Sequence, residues 1–586
     1  MVFETVGGIV RSIMNATSSF FDSSSLDLIS TTIDTVLEDP ETLFKCLMGT
    51  LVATGITAKA WPYLKSNTIS IGSSSSSNSS SNSKDKKPPE ILSLQQRFLP
   101  VFFLYRMSFW MSGPYFYQVY SSKILSYNDG TTTPATKEFV ARVSLVGYLA
   151  IVILGPITGR WTDKYGQKTA TICAGIMYAI GSLSVFSNNP MLLYLGRAVG
   201  SVASSRLCST PESWLIGEYL RIQKQRRNDK KEEDHKYKEG KDCWLSETFG
   251  LAYGGDALVA ILAGQTASLA ASRTGGPTGP FLLSPLFIAA ALLLTILCWV
   301  ETKEGESGKS GVIGGGKSGD DDDKKVPPTD CPKKSGIKVI FSDSKIFLIG
   351  LVQSLFEGSM YIFVLVWPPA ISNSIQRFFG PTAATPFGTV FSCLMACCLL
   401  GSVLFGQLRK RSVDAKSIMT AMLFTSTIAF SGSVYAIQTE NLFAIIVAFF
   451  VFEVCVGMYF PSIGTIRSKL IPESHRSVIM TLFAVPLNAL VVGVVFFHST
   501  LGDIGALTIA SFAMGIATAC MIFLRWKLSE EEHQRHLKAI KHWNQLKIAM
   551  RFVEYQRMNA CKIEKKALTM QRHRRHHSAW NKGAFC

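Results

Sequence analysis

The chain contains a series of long apolar segments separated by short polar ones. A hydrocarbon core about 30 Å thick is crossed by about 20 residues of α-helix, and each segment reaches that length. The segments lie at 97–121, 138–160, 168–187, 191–219, 247–272 and 280–300, and again at 344–367, 386–408, 416–437, 441–466, 477–499 and 502–525. The pattern predicts an all-α polytopic membrane protein.

Composition supports this class and excludes others. The 586 residues are 47% apolar and only 17% charged, whereas average soluble proteins have about 25% charged residues. This excludes an intrinsically disordered protein and argues against a soluble enzyme of several domains. The net charge of +17 would suit a nucleic-acid binder, but the basic residues lie between apolar segments. We therefore expect a lipid bilayer, and no nucleic acid, as the partner of this surface.

The polar segments divide the chain into predicted parts. These are a non-cytoplasmic segment at 1–42, an extra transmembrane helix at 43–63, a Ser/Asn-rich linker at 64–96, a six-helix bundle at 97–300, a cytoplasmic linker at 301–343, a second six-helix bundle at 344–526 and a basic cytoplasmic tail at 527–586. The extra helix is short and only moderately apolar, so an interfacial position is the alternative. If it crosses, Asn15 lies outside the cell as a glycosylation acceptor, although such a tripeptide also arises by chance.

Basic residues in the loops predict the orientation. Loops after even-numbered crossings contain most of the Lys and Arg, and the opposite loops contain only Lys123, Lys137, Arg273 and Arg377. The positive-inside rule places the basic side in the cytoplasm. We therefore expect a multi-pass protein of the cell membrane, with both linkers and the tail in the cytoplasm.

The two groups of six crossings repeat each other. At an offset of about 247 residues, Gly155 falls opposite Gly401, and Pro211 lies late in the fourth crossing as Pro461 does in the tenth. Two related bundles about a pseudo-twofold axis are typical of rocker-type transporters, which bind solute near the midplane between the halves.

The loop after the second crossing has a specific pattern. Its key residues are Gly159, Asp163, Lys164, Gly166 and Lys168. This loop resembles the signature loop of the major facilitator superfamily, although Thr169 stands where a second basic residue is usual. Glycine allows close helix approach at Gly159 and a tight turn at Gly166. We expect Asp163 to cap the next helix or to pair with a cation, as a latch that holds one access state.

Ionisable residues at membrane depth are the candidates for a solute site, because they are costly there and usually face a cavity. They are Arg197, Arg206, Glu212, Asp256, Glu357 and Glu453. Fifteen helical steps place Arg197 and Glu212 about 60° apart, on one face. Arg206 lies on the opposite face from Arg197 unless Pro211 breaks the helix. For each residue, a structural ion pair with a neighbouring helix is the alternative to a cavity position.

Several stretches resemble the molybdate-anion transporter family of the major facilitator superfamily. They are 350–357 with 361–364 and Trp367, 452–462 with Arg467 and 471–473, and in the first half 114–117, 196–200 and 212–214. The resemblance covers 97–525. The chain departs from the family at Phe109, where an acidic residue is expected, and at Ala484, where a basic one is expected.

The resemblance implies a secondary active transporter for uptake of molybdate, a tetrahedral oxyanion, by alternating access. Arg197 is then the principal positive charge at the site, because guanidinium donors suit an oxyanion. Glu212, Glu357, Glu453 and Tyr117 are the further substrate-binding candidates, and a glutamate could carry a coupling proton. Sulfate has the same charge and shape as molybdate, so the residues do not separate the two.

Other functions remain as alternatives. They are a major facilitator transporter of sulfate, a sugar or an organic anion, and a nutrient sensor that moves no solute. The sequence has no nucleotide-binding signature, and its intramembrane histidine supply is essentially His498. We therefore expect no enzyme activity, no cofactor and no metal site.

Overall fold

A computed structural model describes residues 39–69, 88–229, 243–300, 340–471 and 476–580. Residues 1–38, including Asn15, lie outside the described residues, as do 70–87 of the Ser/Asn-rich linker and 301–339 of the second linker. The described residues are almost entirely helical, which confirms the all-α fold class.

The part that precedes the second linker contains eight helices and one small hairpin among its described residues. In chain order these are α1 (Pro40–Ile69), α2 (Pro89–Ser112), α3 (Phe116–Ser121), β1 (Ile124–Ser126), β2 (Thr132–Pro134), α4 (Lys137–Tyr165), α5 (Gln167–Leu183), α6 (Pro190–Asp229), α7 (Cys243–Thr274) and α8 (Gly279–Cys298). The strands pair antiparallel, with Leu125 opposite Thr133. The first predicted crossing is thus divided, because Gly113 and Pro114 separate α2 from the short helix α3.

Among the described residues after the second linker there are six further helices. They are α9 (Ser344–Phe379), α10 (Phe387–Lys410), α11 (Ala415–Gln438), α12 (Leu442–Leu470), α13 (Arg476–Phe496) and α14 (His498–Trp580). α14 contains a non-helical residue, Gly502, with φ 62°. The compact unit of the protein ends at Met521. A second unit, Ile522–Cys586, is helical to Trp580 and its described side chains are mostly exposed.

Eight helices of the described part are long and apolar enough to cross a membrane. Among them are four consecutive helices after the second linker, α9, α10, α11 and α12. The long helices α2, α6 and α7 are not among the eight, and each contains ionisable residues: Arg106 in α2, Arg197 in α6 and Asp256 in α7. Charge is therefore concentrated on three helices of the first bundle.

α6 continues through Pro211 without a break, so the proviso that Pro211 interrupts this helix does not apply. Proline removes one backbone donor, and neighbouring hydroxyls can satisfy carbonyl groups nearby. Here Thr210 Oγ1 donates to the carbonyl of Arg206 at 3.0 Å, and Ser213 Oγ donates to that of Ser209 at 3.0 Å. Arg197 and Arg206 consequently leave opposite sides of one helix.

α1 packs against α10 of the second bundle. The Cys393 thiol contacts the carbonyl of Phe44 at 3.3 Å, and Gln407 Nε2 donates to the carbonyl of Ala58 at 2.7 Å. Both contacts join residues 349 positions apart, so the two helices run in the same direction. Between these contacts α1 advances about 21 Å at 1.5 Å per residue.

Close contacts between the two bundles lie toward one end of the helices. Cβ atoms at Gly264 of α7 and Gly388 of α10 would overlap the opposite backbone, and Ser392 Oγ donates to the carbonyl of Ile261 at 2.8 Å. At the other interface, Leu487, Val491 and Val495 of α13 pack with side chains at 141–148 of α4. These contacts lie in the helix halves nearer the β-hairpin, the side that the charge pattern predicts to be non-cytoplasmic.

Candidate functional site

Arg197 lies where α6 meets α4. The position that a Cβ of Gly147 would occupy is 2.8 Å from Arg197 Nε and 2.6 Å from Ser201 Oγ, so only glycine leaves room there. The guanidinium carbon lies 4.3 Å from the centroid of the Phe116 ring in α3. Cation–π contact of this kind stabilises an arginine without neutralising its charge.

No carboxylate among the described residues forms an ion pair with Arg197. Its Nε atom is buried and has no hydrogen-bond partner in the described part of the chain. Tyr120 and Tyr148 lie within electrostatic range of the guanidinium. An uncompensated buried charge costs several kcal/mol. The Arg197 guanidinium is therefore suited to bind an anion or water.

A second arginine, Arg106 of α2, has a full set of partners. Its Nε donates to Asp256 Oδ1 at 2.7 Å, and its Nη2 donates to Asp256 Oδ2. Trp110 Nε1 also donates to the Asp256 carboxylate at 2.9 Å, and the guanidinium lies 4.9 Å from the Trp110 ring centroid. Asp256 is therefore one half of a structural ion pair, which was the alternative for this residue.

Glu212 does not contact Arg197, although the two share a helical face. Tyr253 of α7 donates its hydroxyl to Glu212 Oε1 at 2.6 Å. Arg106 and Asp256 are the charged groups within its electrostatic range. Glu212 thus belongs to the polar group around Arg106, about four helical turns from Arg197.

Glu357 has its partners within the second bundle. Tyr459 of α12 donates to Glu357 Oε1 at 2.9 Å, and Gln353 also hydrogen-bonds to the carboxylate. Arg467 Nη1 donates to Gln353 Oε1 at 2.9 Å and lies within electrostatic range of Glu357. Glu357 consequently has a cation of its own bundle beside it rather than Arg197.

Glu453 lies between α10 and α12. It is 5% exposed, and its Oε2 atom has no hydrogen-bond partner among the described residues. Cys397 and Cys398 of α10 are its neighbours. The same two helices approach closely at Gly401 and Gly457, where a Cβ would overlap the opposite backbone. The carboxyl group is thus enclosed by thiols and apolar packing.

Tyr117 of α3 lies toward the end of the bundle that carries the β-hairpin. Asp503 of α14 lies within electrostatic range of its hydroxyl group. The adjacent residue Phe116, not Tyr117, contacts Arg197. Among the residues described here, the structure thus associates Tyr117 with a different charged group from the one predicted.

The signature loop is resolved in part. Gly166 has φ 93°, which confirms the tight turn between α4 and α5. Lys168 Nζ donates to the carbonyls of Ile296 and Trp299 at the end of α8, at 3.0 and 2.6 Å. This lysine caps the negative end of a helix dipole.

The remaining loop residues have simpler surroundings. Gly159 has Arg206 as its neighbour, 3.6 Å from the position of a Cβ, which is ordinary contact rather than close helix approach. Lys164 is exposed, with its ammonium group 5.1 Å from the Tyr165 ring centroid. Asp163 lies in the last turn of α4, and its side chain is outside the described part, so its role as a latch stays a prediction.

Arg106 was missed by sequence reasoning, although the signal was present. It is an arginine inside a predicted crossing, which by itself marks a candidate functional residue. Its partner Asp256 lies 150 positions away, so the pair was not recognised. No group of three or more His, Cys, Asp or Glu side chains suited to a metal ion occurs among the described residues.

Comparisons with known proteins agree with the fold. The family model MFS_5, described as sugar transporters with 12 transmembrane segments, matches residues 69–440. The chain is 26% identical over 432 residues to the molybdate-anion transporter of Takifugu rubripes, covering 71% of this chain and 82% of the relative. It is 25% identical over 438 residues to the molybdate-anion transporter of Danio rerio, with the same coverage.

Solved structures share the architecture at low sequence identity. A crystal structure of a D-xylose–proton symporter covers 74% of this chain and 96% of its own, with a TM-score of 0.52 and 11% identity. A peptide transporter in complex with sulfate covers 77% and 96%, with a TM-score of 0.51 and 11% identity. These likenesses concern the fold alone. With its helices, its paired bundles and the family match over more than half of its length, the chain belongs to the major facilitator superfamily and is a membrane transporter, not an enzyme.

Proposed function

We propose that this transporter takes up molybdate, or an oxyanion of the same charge and shape, across the cell membrane by alternating access. The observation that carries the proposal is Arg197, an arginine in a membrane helix whose Nε atom has no partner among the described residues. The relatives are named molybdate-anion transporters, which is consistent with an anionic solute.

The contrast between two arginines supports an anion at Arg197. Arg106 is neutralised by the bidentate Asp256 carboxylate, whereas Arg197 has an aromatic ring and hydroxyl groups around it. A planar guanidinium donates two parallel hydrogen bonds to an oxyanion, as it does to a carboxylate. Binding of the anion would therefore offset the cost of holding this charge at membrane depth.

Alternating access is the proposed mechanism. The bundles meet closely on the hairpin side, at Gly264, Gly388 and Ser392. In the proposed orientation this side faces away from the cytoplasm, and the contacts close the outer entrance. We propose that Asp163 is part of a latch on the opposite, cytoplasmic face. The variant Asp163→Asn tests this role: transport should be reduced while the amount of protein at the cell surface is unchanged.

We further propose coupling to protons through Glu212, Glu357 or Glu453. An anion of charge −2 meets less repulsion when a neighbouring carboxylate is protonated. Glu453 differs from the other two because its Oε2 atom has no partner among the described residues. Entry of a proton with the anion would also reduce the electrical cost of uptake.

The deciding experiment measures molybdate uptake by mass detection in cells that express the chain, with sulfate and glucose as competitors. We expect uptake above background, inhibited by excess sulfate but not by glucose. Arg197→Ala should reduce uptake by more than about thirtyfold, since truncating one partner of a buried charged interaction costs about 2–5 kcal/mol. Arg197→Lys keeps the charge but loses the planar guanidinium group. Its uptake should therefore lie between that of the wild type and that of Arg197→Ala.

The matched control is Arg377→Ala. This arginine is half exposed and pairs with Glu440 at 2.6 Å. The variant should take up molybdate normally and reach the cell surface at the normal level. Normal uptake by Arg197→Ala would show that Arg197 is structural. Inhibition by glucose with no effect of sulfate would favour the sugar alternative, which the family description also suggests. Binding of the solute without flux would indicate a sensor.

A further inference from the structure

Two tyrosines meet across the bundles. Tyr148 belongs to α4 of the first bundle, and Tyr361 belongs to α9 of the second. Their ring centroids are 6.1 Å apart and the rings lie at 79°, an edge-to-face contact. Pairs of this geometry contribute to packing beyond the area they bury. The contact therefore joins the bundles near the middle of both helices.

The hydroxyl groups of these tyrosines have no hydrogen-bond partners among the described residues. Buried tyrosine hydroxyls normally find a partner, and other tyrosines in the membrane helices do so. Tyr105 bonds to Thr295, Tyr178 to Ser112, Tyr253 to Glu212 and Tyr459 to Glu357. Tyr361 is 37% exposed, and the Tyr148 hydroxyl is not among the buried atoms without a partner. Each phenol therefore has a hydroxyl hydrogen that no described residue accepts.

Each tyrosine of the pair has a charged group of its own bundle nearby. Tyr148 follows Gly147, whose missing side chain leaves the space that Arg197 occupies. Tyr148 lies within electrostatic range of Arg197, and Tyr361 lies within that of Glu357. The pair thus has the guanidinium of the first bundle near one ring and a carboxylate of the second near the other.

We propose that Tyr148 and Tyr361 each donate a hydrogen bond to the anion held by Arg197, one from each bundle, while their rings hold the bundles together beside it. This deepens the proposed function and rests on it. A tetrahedral oxyanion has four acceptor oxygens, enough for a bidentate guanidinium and two phenols. Because the donors come from both bundles, occupancy of the site depends on how the bundles are arranged.

Substitution by phenylalanine separates the two roles, because it keeps the ring and removes the hydroxyl. Tyr148→Phe and Tyr361→Phe should each raise the KM for molybdate about tenfold, the expected loss for one hydrogen bond to a charged group. The maximal rate should stay close to that of the wild type. Tyr148→Ala and Tyr361→Ala also remove the ring contact and should lower the maximal rate as well. The matched control is Tyr435→Phe, since this tyrosine is 67% exposed on α11.

Surface level is measured for every variant, and molybdate binding to the purified protein is followed by intrinsic fluorescence. An unchanged KM and unchanged binding in both phenylalanine variants would overturn the proposal, even if the alanine variants lose transport. That second result would assign the pair to packing only. The wild-type protein reports separately on the proposed function, since absence of molybdate uptake and binding there contradicts the function itself.

Discussion

An ionisable side chain with a buried atom that has no hydrogen-bond partner among the described residues occurs where corresponding helices meet in each bundle, and the two side chains are of opposite sign. In the first bundle it is Arg197, where α6 meets α4, and in the second it is Glu453, where α12 meets α10. Both helix pairs pack tightly through glycine, at Gly147 in one and at Gly401 and Gly457 in the other. Side chains fill the space at Gly147, whereas the opposite backbone fills it at Gly401 and Gly457.

The surroundings of the two groups differ. Arg197 is partly exposed and has an aromatic ring and hydroxyl groups beside it, whereas Glu453 is almost fully buried among thiols and apolar side chains. A cation with access to open space suits a solute that arrives and leaves. An enclosed carboxyl group suits at most a proton. The comparison teaches that corresponding helix pairs of a repeat can hold ionisable groups at different positions and of different chemistry, since Arg197 lies 14 residues before Pro211 and Glu453 lies 8 residues before Pro461.

The largest expected loss of stability comes from removing the carboxylate that pairs with Arg106. Asp256→Ala leaves Arg106 buried without its carboxylate, which should lower the free energy of unfolding by about 3–5 kcal/mol. Unfolding of the purified protein in detergent measures this loss. Glu440→Ala is the control, because it breaks the exposed pair with Arg377, worth about 1 kcal/mol or less. Equal stability of the two variants would mean that the first bundle does not depend on neutralising Arg106.

Packing of the second bundle gives the next effect. Gly457→Ala puts a Cβ against the carbonyl of Cys398, and the helices must separate. We expect a loss of about 1–3 kcal/mol, typical of overpacking in a tight interface. Gly464→Ala, on the same helix with open space around it, should cost nothing and can even stabilise the helix. If both variants are equally stable, the close approach of α10 and α12 is not required.

A smaller effect is expected where α1 joins the second bundle. Gln407→Ala removes the donor to the Ala58 carbonyl and should cost about 1 kcal/mol, the net value of one hydrogen bond. Gln438→Ala removes an exposed glutamine at the end of α11 and serves as the reference. The same unfolding measurement applies. A loss confined to transport, with stability unchanged, would argue that this contact matters for motion rather than for assembly.

The smallest change in stability is expected for Glu453→Gln. Since no counter-ion accompanies this carboxyl among the described residues, its neutral isostere should alter the free energy of unfolding by about 1 kcal/mol or less. Asp256→Asn, the same chemical change in the first bundle, should cost much more. If Glu453 carries the coupling proton, uptake by Glu453→Gln should no longer rise with an inward proton gradient. A large destabilisation would show instead that a charged Glu453 has an essential partner.

The fold was predictable from sequence because membrane crossings leave a strong signal. Length and hydrophobicity identified helices that the structure confirms, and Gly166 identified the turn between α4 and α5. The breaks were harder to predict. Pro211 lies inside a continuous helix, whereas Pro114 lies at a real interruption. Both prolines lack a donor, but Pro114 follows Gly113 at the end of α2, whereas Pro211 lies within an uninterrupted stretch of helix.

The candidate site was less predictable, because helical spacing reports on one helix at a time. It correctly put Arg197 and Glu212 on one face, yet a separation of fifteen residues is about 22 Å along the axis. At that distance Glu212 meets Tyr253 instead. Partners such as Arg106 with Asp256, or Glu357 with Tyr459, come from helices more than a hundred residues apart. Only the packed structure brings them together.

The parallel run of α1 along α10 has a mechanical consequence. The first described helix packs against the second bundle, although the residues that follow it along the chain belong to the first bundle. Any movement of one bundle against the other therefore changes the distance that the stretch between Ile69 and Pro89 must span. Shortening this Ser- and Asn-rich stretch should set an upper limit on how far the two bundles can move apart.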